Sequence, residues 1–457
     1  MTGRILASGF NAFDPRDTIA AISTAPGRAA IAVLRVSGSS AADALMAIAG
    51  SLPNPRRAAF RAFKNPRDGA LIDRGIALWF PGPKTVTGED VAEFHVHGGR
   101  AVVAAILDAA LGVPGVRMAE AGEFTRRAFV AGRMDLAEAE GLADLLAAET
   151  EVQRKQALIQ SEGGLSALIE GWRGRLVGAM ALVEAGIDFS DEDGVPAQVR
   201  SEAKREVEGL ARDIEAALAD RRAERLRSGF QVAILGRPNA GKSSLLNALA
   251  RRDVAIVTDA AGTTRDVLEV HLDLDGVPVT IADTAGLREA VDPAEREGVR
   301  RAEARAAVAD LVLWLEDARA PDPAGHVARH MAGRPDGPTI WRVASKADLG
   351  GPAWPAGHSV SAITGHGLDG LVAALAEAGR AAIGGGETAG FSRARHRDAA
   401  ASVAALLGEA LGDWDALPDE LLAETLRAAA TELGRITGRI GVEDVLGEVF
   451  SSFCIGK

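Results

Sequence analysis

Over the first 120 or so residues, apolar positions come in short blocks of two different periods. Residues 18–22 and 30–36 are continuous apolar runs around Pro26-Gly27-Arg28, which predicts two strands joined by a turn. Helical spacing marks 40–49 and 102–111, residues 75–80 form a strand stopped by Pro81-Gly82-Pro83, and 91–96 alternates like a half-buried strand. Residues 1–16 lack either period and read as an unstructured lead-in. Mixed strands and helices predict an α+β domain over 1–133.

From Met134 the pattern becomes purely helical. Leu136, Ala139, Leu142, Ala143 and Leu146 share one face, and the spacing resumes over 152–187 and 199–218. Gly163-Gly164 and the acidic run Ser190-Asp191-Glu192-Asp193-Gly194 interrupt it; the latter lacks EF-hand spacing and reads as a solvated turn. Between 231 and 378 strand and helix alternate, with strands expected at 277–282, 311–315, 340–344 and 358–361, the pattern of a parallel doubly wound sheet. Helical spacing returns after Gly384-Gly385-Gly386, at 399–411 and 421–436. Four segments follow: an N-terminal domain (1–133), a leading helical segment (134–222), an inserted α/β domain (223–380) and a closing helical segment (381–457). Insertion into a single helical domain is the economical explanation, because insertions are tolerated at surface loops with neighbouring ends.

Composition narrows the class. At 457 residues, 47% hydrophobic and 25% charged, the chain is a multidomain globular protein. No apolar run reaches the ~18 residues of a membrane span, and there is no signal-peptide core. A single cysteine, Cys454, fits a reducing compartment, so a cytoplasmic location is expected. The net charge of −12 opposes broad charge-driven binding of nucleic acid, but it is unevenly placed. Residues 1–133 hold 16 Lys/Arg against 11 Asp/Glu, and residues 134–220 hold 8 against 19, so a locally basic site in the first segment stays open. The absence of tyrosine and scarcity of aromatics argue against a base-stacking platform.

The chemistry begins at Gly236-Arg237-Pro238-Asn239-Ala240-Gly241-Lys242-Ser243, which lies between an apolar strand and an amphipathic stretch starting at Ser244. In that context G-x-x-x-x-G-K-[ST] cradles phosphates, with backbone N–H groups and the helix N-terminus turned toward the anion. Lys242 is expected to reach the β/γ-phosphates and Ser243 to ligate magnesium. Downstream come Thr263-Thr264-Arg265-Asp266, Asp283-Thr284-Ala285-Gly286, Ser345-Lys346-Ala347-Asp348 and Ser361-Ala362-Ile363, in the order and spacing of small Ras-like GTPases. Thr264 completes the magnesium shell, Asp283 holds the ion through water, and the Gly286 N–H meets the γ-phosphate. Asp348 pairs with guanine N1 and the exocyclic amine, an edge adenine cannot match. Ser345 stands where asparagine is usual and is expected to lose an amide contact to the base. Leu287 replaces the glutamine that orients the attacking water, which leaves Glu289 and Glu295 as candidates. With no arginine finger in cis, a monovalent cation is expected between the phosphates, and Asn239 is an oxygen donor placed to bind it.

These motifs, together with Asp283-Thr284-Ala285-Gly286-Leu287-Arg288-Glu289 and Cys454-Ile455-Gly456-Lys457, make the chain resemble the MnmE (TrmE) family of tRNA-modification GTPases. The resemblance extends through Ala25-Pro26-Gly27-Arg28, Leu34-Arg35-Val36-Ser37-Gly38, Thr87-Gly88-Glu89-Asp90, His97-Gly98-Gly99 and residues 122–129. It implies an N-terminal domain that dimerises and binds a one-carbon donor, 5,10-methylene- or 5-formyl-tetrahydrofolate, at Arg35, Glu93, Arg133 and Lys457. Arg133 stands where lysine is common, which keeps the charge but changes its geometry. The resemblance also implies a functional Cys454, potassium held at Asn239 by the loop containing Thr258, Ala260 and Thr263, and Glu295 as the residue that orients water. Finally, it implies a heterotetramer with the FAD-dependent partner MnmG (GidA), which modifies carbon 5 of the wobble uridine of certain tRNAs. The alternative, an Era-like GTP-gated RNA-binding switch, calls for a basic RNA-binding appendage, whereas the helical segment here is acidic.

Overall fold

The computed structural model describes residues 17–188, 195–236, 239–252, 269–283, 309–319, 338–351, 357–384, 389–440 and 443–451, with Phe453, Ile455 and Gly456. It divides into two compact units, Met1–Ala143 with Thr431–Lys457, and Asp144–Ala430.

The first unit is built on β1 (Thr18–Ile22), β2 (Ala29–Ser37), α1 (Ala41–Ala49), β3 (Ala59–Lys64), β4 (Leu71–Phe80), β5 (Val91–Gly98), α2 (Arg100–Leu111) and β6 (Val116–Met118). The strands form one sheet in the order β3-β4-β5-β2-β1-β6, antiparallel except for β1 with β6. Alternation along β5 sorts its two faces. Ala92, Phe94 and Val96 enter a core with Leu45 and Ile48 of α1 and Ile106 and Ala109 of α2, while Glu93, His95 and His97 belong to the opposite face. The pattern of residues did not reveal β3 or β6. In β3, Arg61 and Lys64 interrupt the apolar alternation, as an edge strand paired on one side only permits. Next come α3 (Glu123–Val130) and α4 (Leu136–Ala147). The last helix, Glu443–Ser451, returns to α3: Phe450 lies 6.2 Å from Phe129, and the Phe450 carbonyl is so close to Gly122 that a Cβ there would approach it to 2.3 Å.

In the second unit α5 (Glu151–Ser161) starts with a capping box from Thr150 and Gln153, followed by α6 (Gly164–Asp188), α7 (Val195–Ala219) and α8 (Arg222–Ser228). Leu165, Ile169, Trp172, Leu176 and Val183 recur at helical spacing on the buried face of α6, which packs against α7. The acidic run 190–194 lies outside the described residues. The α/β domain contains β7 (Phe230–Gly236), α9 (Lys242–Ala250), β8 (Glu269–Leu274), β9 (Val277–Asp283), β10 (Leu311–Asp317), β11 (Thr339–Ser345), β12 (His358–Ser359) and α10 (Leu368–Ile383). Two further helices, α11 (Ala394–Gly412) and α12 (Asp419–Thr437), follow, and α11 packs on α7.

The α/β sheet runs β12-β11-β10-β7-β9-β8, and one strand corrects the expectation of a wholly parallel sheet. β8 pairs antiparallel with β9. The two are joined by Asp275-Gly276, at φ of 54° and 85°, and the Gly276 N–H donates to Asp273 Oδ1 at 2.6 Å. A two-residue turn of this kind can only return the chain antiparallel. Leucines of α9 (Leu245, Leu246, Leu249) and α10 (Leu368, Leu371, Leu375) cover one face of the sheet. Among the described residues no helix is long and apolar enough to cross a membrane.

Candidate functional site

The phosphate loop is positioned by strands buried on both faces. Val232, Ala233, Ile234 and Leu235 of β7 are all at most 7% exposed, and β7 lies between β9 and β10 at the centre of the sheet. At its end β10 passes so close that a Cβ on Gly236 would stand 2.3 Å from the Leu315 carbonyl, so only glycine fits. The loop then uses left-handed conformations at Asn239 (φ 61°) and Gly241 (φ 92°). Gly241 is the N-cap of α9 and brings no side-chain cap, so the helix start faces the loop with its own N–H groups. Lys242 Nζ spans the loop to the Gly236 carbonyl at 3.0 Å. Ser243 and Ser244 are exposed on the first turn, and Ala240 is buried. This is a built anion cradle with a hydroxyl beside it, and it fits a nucleotide phosphate with magnesium on Ser243.

The segment expected to read guanine is attached directly to that loop. β11 ends at Ser345, 5% exposed, whose Oγ donates to the Ala240 carbonyl at 2.5 Å and lies 3.1 Å from the Glu316 carbonyl. Lys346, in a left-handed conformation (φ 58°), donates from Nζ to the Asn239 carbonyl at 2.7 Å and to Asp317 Oδ2 at 3.0 Å. Hydrogen bonds from Arg319, and then from Lys346, hold the Asp317 carboxyl well below the usual carboxylate range. Serine at 345 therefore gives up an amide that could reach the base but keeps a tether to the phosphate loop. Asp348 follows on a short 3₁₀ turn (Ala347–Leu349), exposed and without a hydrogen-bond partner among the described residues. The Ala347 N–H bonds to the Val360 carbonyl at 3.1 Å, which brings Asp348 alongside fully buried Ser361 and half-buried Ala362. The exposed side chain of Asn239 stands on the same loop. β9 delivers the Asp283 backbone beside Ile234 of β7. Thr258, Ala260, Thr263, Thr264, Thr284, Ala285, Gly286, Leu287, Glu289 and Glu295 lie outside the described residues.

A second polar centre occupies the first unit. Arg35 on β2 and Glu93 on β5 are register partners, and Nε and Nη2 of Arg35 both reach Glu93 Oε1 at 3.0 Å. His95 Nε2 lies 3.3 Å from the other carboxylate oxygen, and the Arg35 guanidinium sits 5.8 Å from the centre of the Phe124 ring. The C-terminal residues are fixed close by. Ile455 bridges Ala121, Ser23 Oγ donates to the Gly456 carbonyl at 3.0 Å, and a Cβ on Gly456 would stand 2.2 Å from the Ile22 carbonyl. Arg35 is in register with Ala21, one residue away from that contact. Cys454 and Lys457 themselves lie outside the described residues. Arg133 is exposed on the turn after α3, its side chain 3.7 Å from where a Cβ on Gly88 would be.

Sequence reasoning missed a buried ion network in this unit. Arg127, 1% exposed in its side chain, pairs with Glu89 at 2.9 Å and Glu123 at 3.0 Å, and Arg117 pairs with Glu123 at 2.7 Å. Burial pushes the Glu123 carboxyl upward, but hydrogen bonds from Arg117, the Glu120 N–H and Arg127 outweigh it and leave the pKa at about 2. Spacing offered one signal, the i,i+4 pair of Glu123 and Arg127; Glu89 and Arg117 join only through the fold.

With this geometry, the chain matches two family descriptions: "GTP-binding protein TrmE N-terminus" over residues 18–133 and "MnmE helical domain" over residues 136–454. The chain belongs to the MnmE family. It is 51% identical over 451 residues to a tRNA modification GTPase MnmE of Rhodopseudomonas palustris (strain ATCC BAA-98 / CGA009), covering 96% of this chain and 99% of the relative. It is 53% identical over 444 residues to the MnmE of Parvibaculum lavamentivorans (strain DS-1 / DSM 13023 / NCIMB 13966), covering 96% and 100%. A crystal structure of Aquifex aeolicus Era bound to GDP and aluminium fluoride shares 25% identity over 38% of this chain and 66% of that one, with a TM-score of 0.27. Family membership and the built phosphate loop together make the chain a GTP hydrolase with an N-terminal α+β domain, a helical domain and an inserted P-loop domain.

Proposed function

We propose that this chain modifies carbon 5 of the wobble uridine of certain tRNAs, adding a (carboxymethyl)aminomethyl group with a tetrahydrofolate one-carbon donor and an FAD-dependent partner. The observation that carries the reading is the convergence in the first unit. Arg35, Glu93 and residues 455–456 come from three distant stretches of sequence and are gathered on or beside the adjacent inner strands β2, β5 and β1 of one sheet. Its donor set suits a folate. Glu93 is a carboxylate acceptor for the N–H edge of a pterin, and Arg35, Arg133 and Lys457 are cations for the carboxylates of the glutamyl tail. When bound, the folate supplies the carbon; the protein holds Glu93 oriented through Arg35 and His95. Wobble-uridine analysis of tRNA from cells lacking this protein tests the reading. The modification should be missing and return with the wild-type chain; intact modification in the deletion strain overturns it.

In the second unit Lys242 and the start of α9 bind the phosphates, Ser243 and Thr264 hold magnesium, and Asn239 with Thr258, Ala260 and Thr263 holds potassium. Potassium adds positive charge between the phosphates where no arginine finger stands. Asn239 suits this role, because its backbone carbonyl is taken by Lys346 while its exposed amide has no hydrogen-bond partner among the described residues. Replacing sodium with potassium is expected to raise GTP turnover several-fold, and Asn239→Ala to abolish that response. Equal wild-type rates in the two salts remove the cation from the mechanism.

A further inference from the structure

The excess positive charge of the N-terminal domain is gathered in one place. Residues 52–86, the stretch containing β3 and β4, hold seven Lys/Arg and two Asp/Glu, in a chain whose net charge is −12. Residues 1–51 and 87–133 together are balanced, with nine of each sign. Arg56, Arg57, Lys64, Arg67, Arg74 and Lys84 are exposed, and Arg61 is half-buried. Of the seven, only Arg67 has a carboxylate partner among the described residues, Asp108 at 3.5 Å on an open surface. Elsewhere in the same unit Arg35, Arg117, Arg126 and Arg127 each have a carboxylate partner.

The two acids of the stretch do not neutralise it. Asp68 Oδ1 accepts from the Ala70 N–H at 2.9 Å, and Asp73 accepts from the His97 N–H at 2.8 Å and approaches its Nδ1 at 2.9 Å. Register concentrates the cations further. Arg74 on β4 lies opposite Ala62 on β3, the edge strand, and Lys64 is two residues further along β3. A register shift sets Lys64 opposite Leu71, and with diagonal neighbours across paired strands about 7–8 Å apart the long side chains of Lys64 and Arg74 reach one patch. Beside them Phe60 is 68% exposed, an aromatic ring set among cations.

We propose that this β3–β4 hairpin is the docking surface for the phosphate backbone of the RNA substrate, a proposal that rests on the tRNA-modifying function above. A polyanion is repelled by a chain of net −12 except where unpaired cations are concentrated, and each phosphate contact releases condensed counterions. A ridge of exposed cations, all but Arg67 without a carboxylate partner among the described residues, with one exposed ring fits a sugar–phosphate backbone with an occasional stacked base. It reads charge and shape, while selection of the uridine belongs to another surface.

The test is tRNA binding by the full-length protein, measured by fluorescence anisotropy across a salt series. Arg57→Glu with Lys64→Glu and Arg74→Glu is compared with Arg205→Glu, Arg212→Glu and Arg221→Glu, an equal charge change at exposed positions of the second unit. The hairpin triple should weaken binding at least about tenfold and lower the log–log salt slope by about 2, at roughly 0.7 per lost contact. The distant triple should do neither, and GTP turnover should be unchanged in both. Glutamine at the three hairpin positions should give the same direction with a smaller loss. Equal losses from the two triples, or none from the hairpin triple, overturn the proposal and leave the modification reading standing. Unchanged tRNA affinity with lost capture of the flavoprotein partner also overturns it, assigning the ridge to an acidic protein. A wild-type chain that neither binds tRNA nor restores wobble modification defeats both readings together.

Discussion

Glu295→Ala is expected to slow GTP hydrolysis at least about a hundredfold while leaving GTP and GDP affinity within about twofold. The expectation comes from the chemistry of the γ-phosphate side. After Asp283-Thr284-Ala285-Gly286, the residue that orients water in Ras-like proteins is here Leu287, which has no hydrogen-bonding group. In the proposed reading the ground-state nucleotide is held by other residues: Lys242, which spans the phosphate loop, the first turn of α9, and Asp348 at the base. A carboxylate that meets only the attacking water contributes in the transition state and not in binding, so kcat and kcat/KM should fall together. Single-turnover hydrolysis beside equilibrium nucleotide binding separates the two. Unchanged turnover would move the role to Glu289.

Asp348→Asn should reverse base preference, costing about a hundredfold or more in GTP affinity and favouring xanthosine triphosphate. In the proposed reading the carboxylate accepts from guanine N1 and its exocyclic amine. An amide in its place turns an N–H donor toward those donors, whereas xanthine offers a carbonyl that accepts it. The structure leaves Asp348 exposed and without a hydrogen-bond partner among the described residues, so the substitution should disturb binding more than folding. Competition between GTP and XTP at fixed magnesium measures the effect. A variant that still prefers GTP would show that Asp348 does not read the base.

The two halves of the nucleotide site are more closely joined than their separation in sequence suggests. Ser345 and Lys346 both bond to carbonyls of the phosphate loop, at Ala240 and Asn239, so the segment that presents Asp348 is tied directly to the loop that presents Asn239. Asp317 secures the junction, its charge preserved by Arg319 and Lys346. Along the chain, Ser345 is only a departure from the usual asparagine. In three dimensions its hydroxyl is a tether.

Local chemistry determined much of this protein from its residues alone. The phosphate loop is contiguous, and its Gly-Lys-Ser pattern between an apolar run and a helix has one physical meaning, which β7, Gly241 and α9 realise. The long helices were legible because their 3.6-residue spacing persists for many turns, as in the buried face of α6. Short elements were not: β3 carries charges at a sheet edge, β6 has three residues, and β8 is defined by its pairing with β9. Only the tertiary structure could decide the contacts between residues remote in sequence. It set Arg35 against Glu93, seated Gly456 on β1, buried Arg127 between Glu89 and Glu123, and left the cations of the β3–β4 stretch, Arg67 excepted, without carboxylate partners among the described residues while pairing most others nearby. The reason is physical. A residue's type and spacing state what it can bond to, but which partner it meets is settled by the packing of sheets and helices that local sequence does not encode.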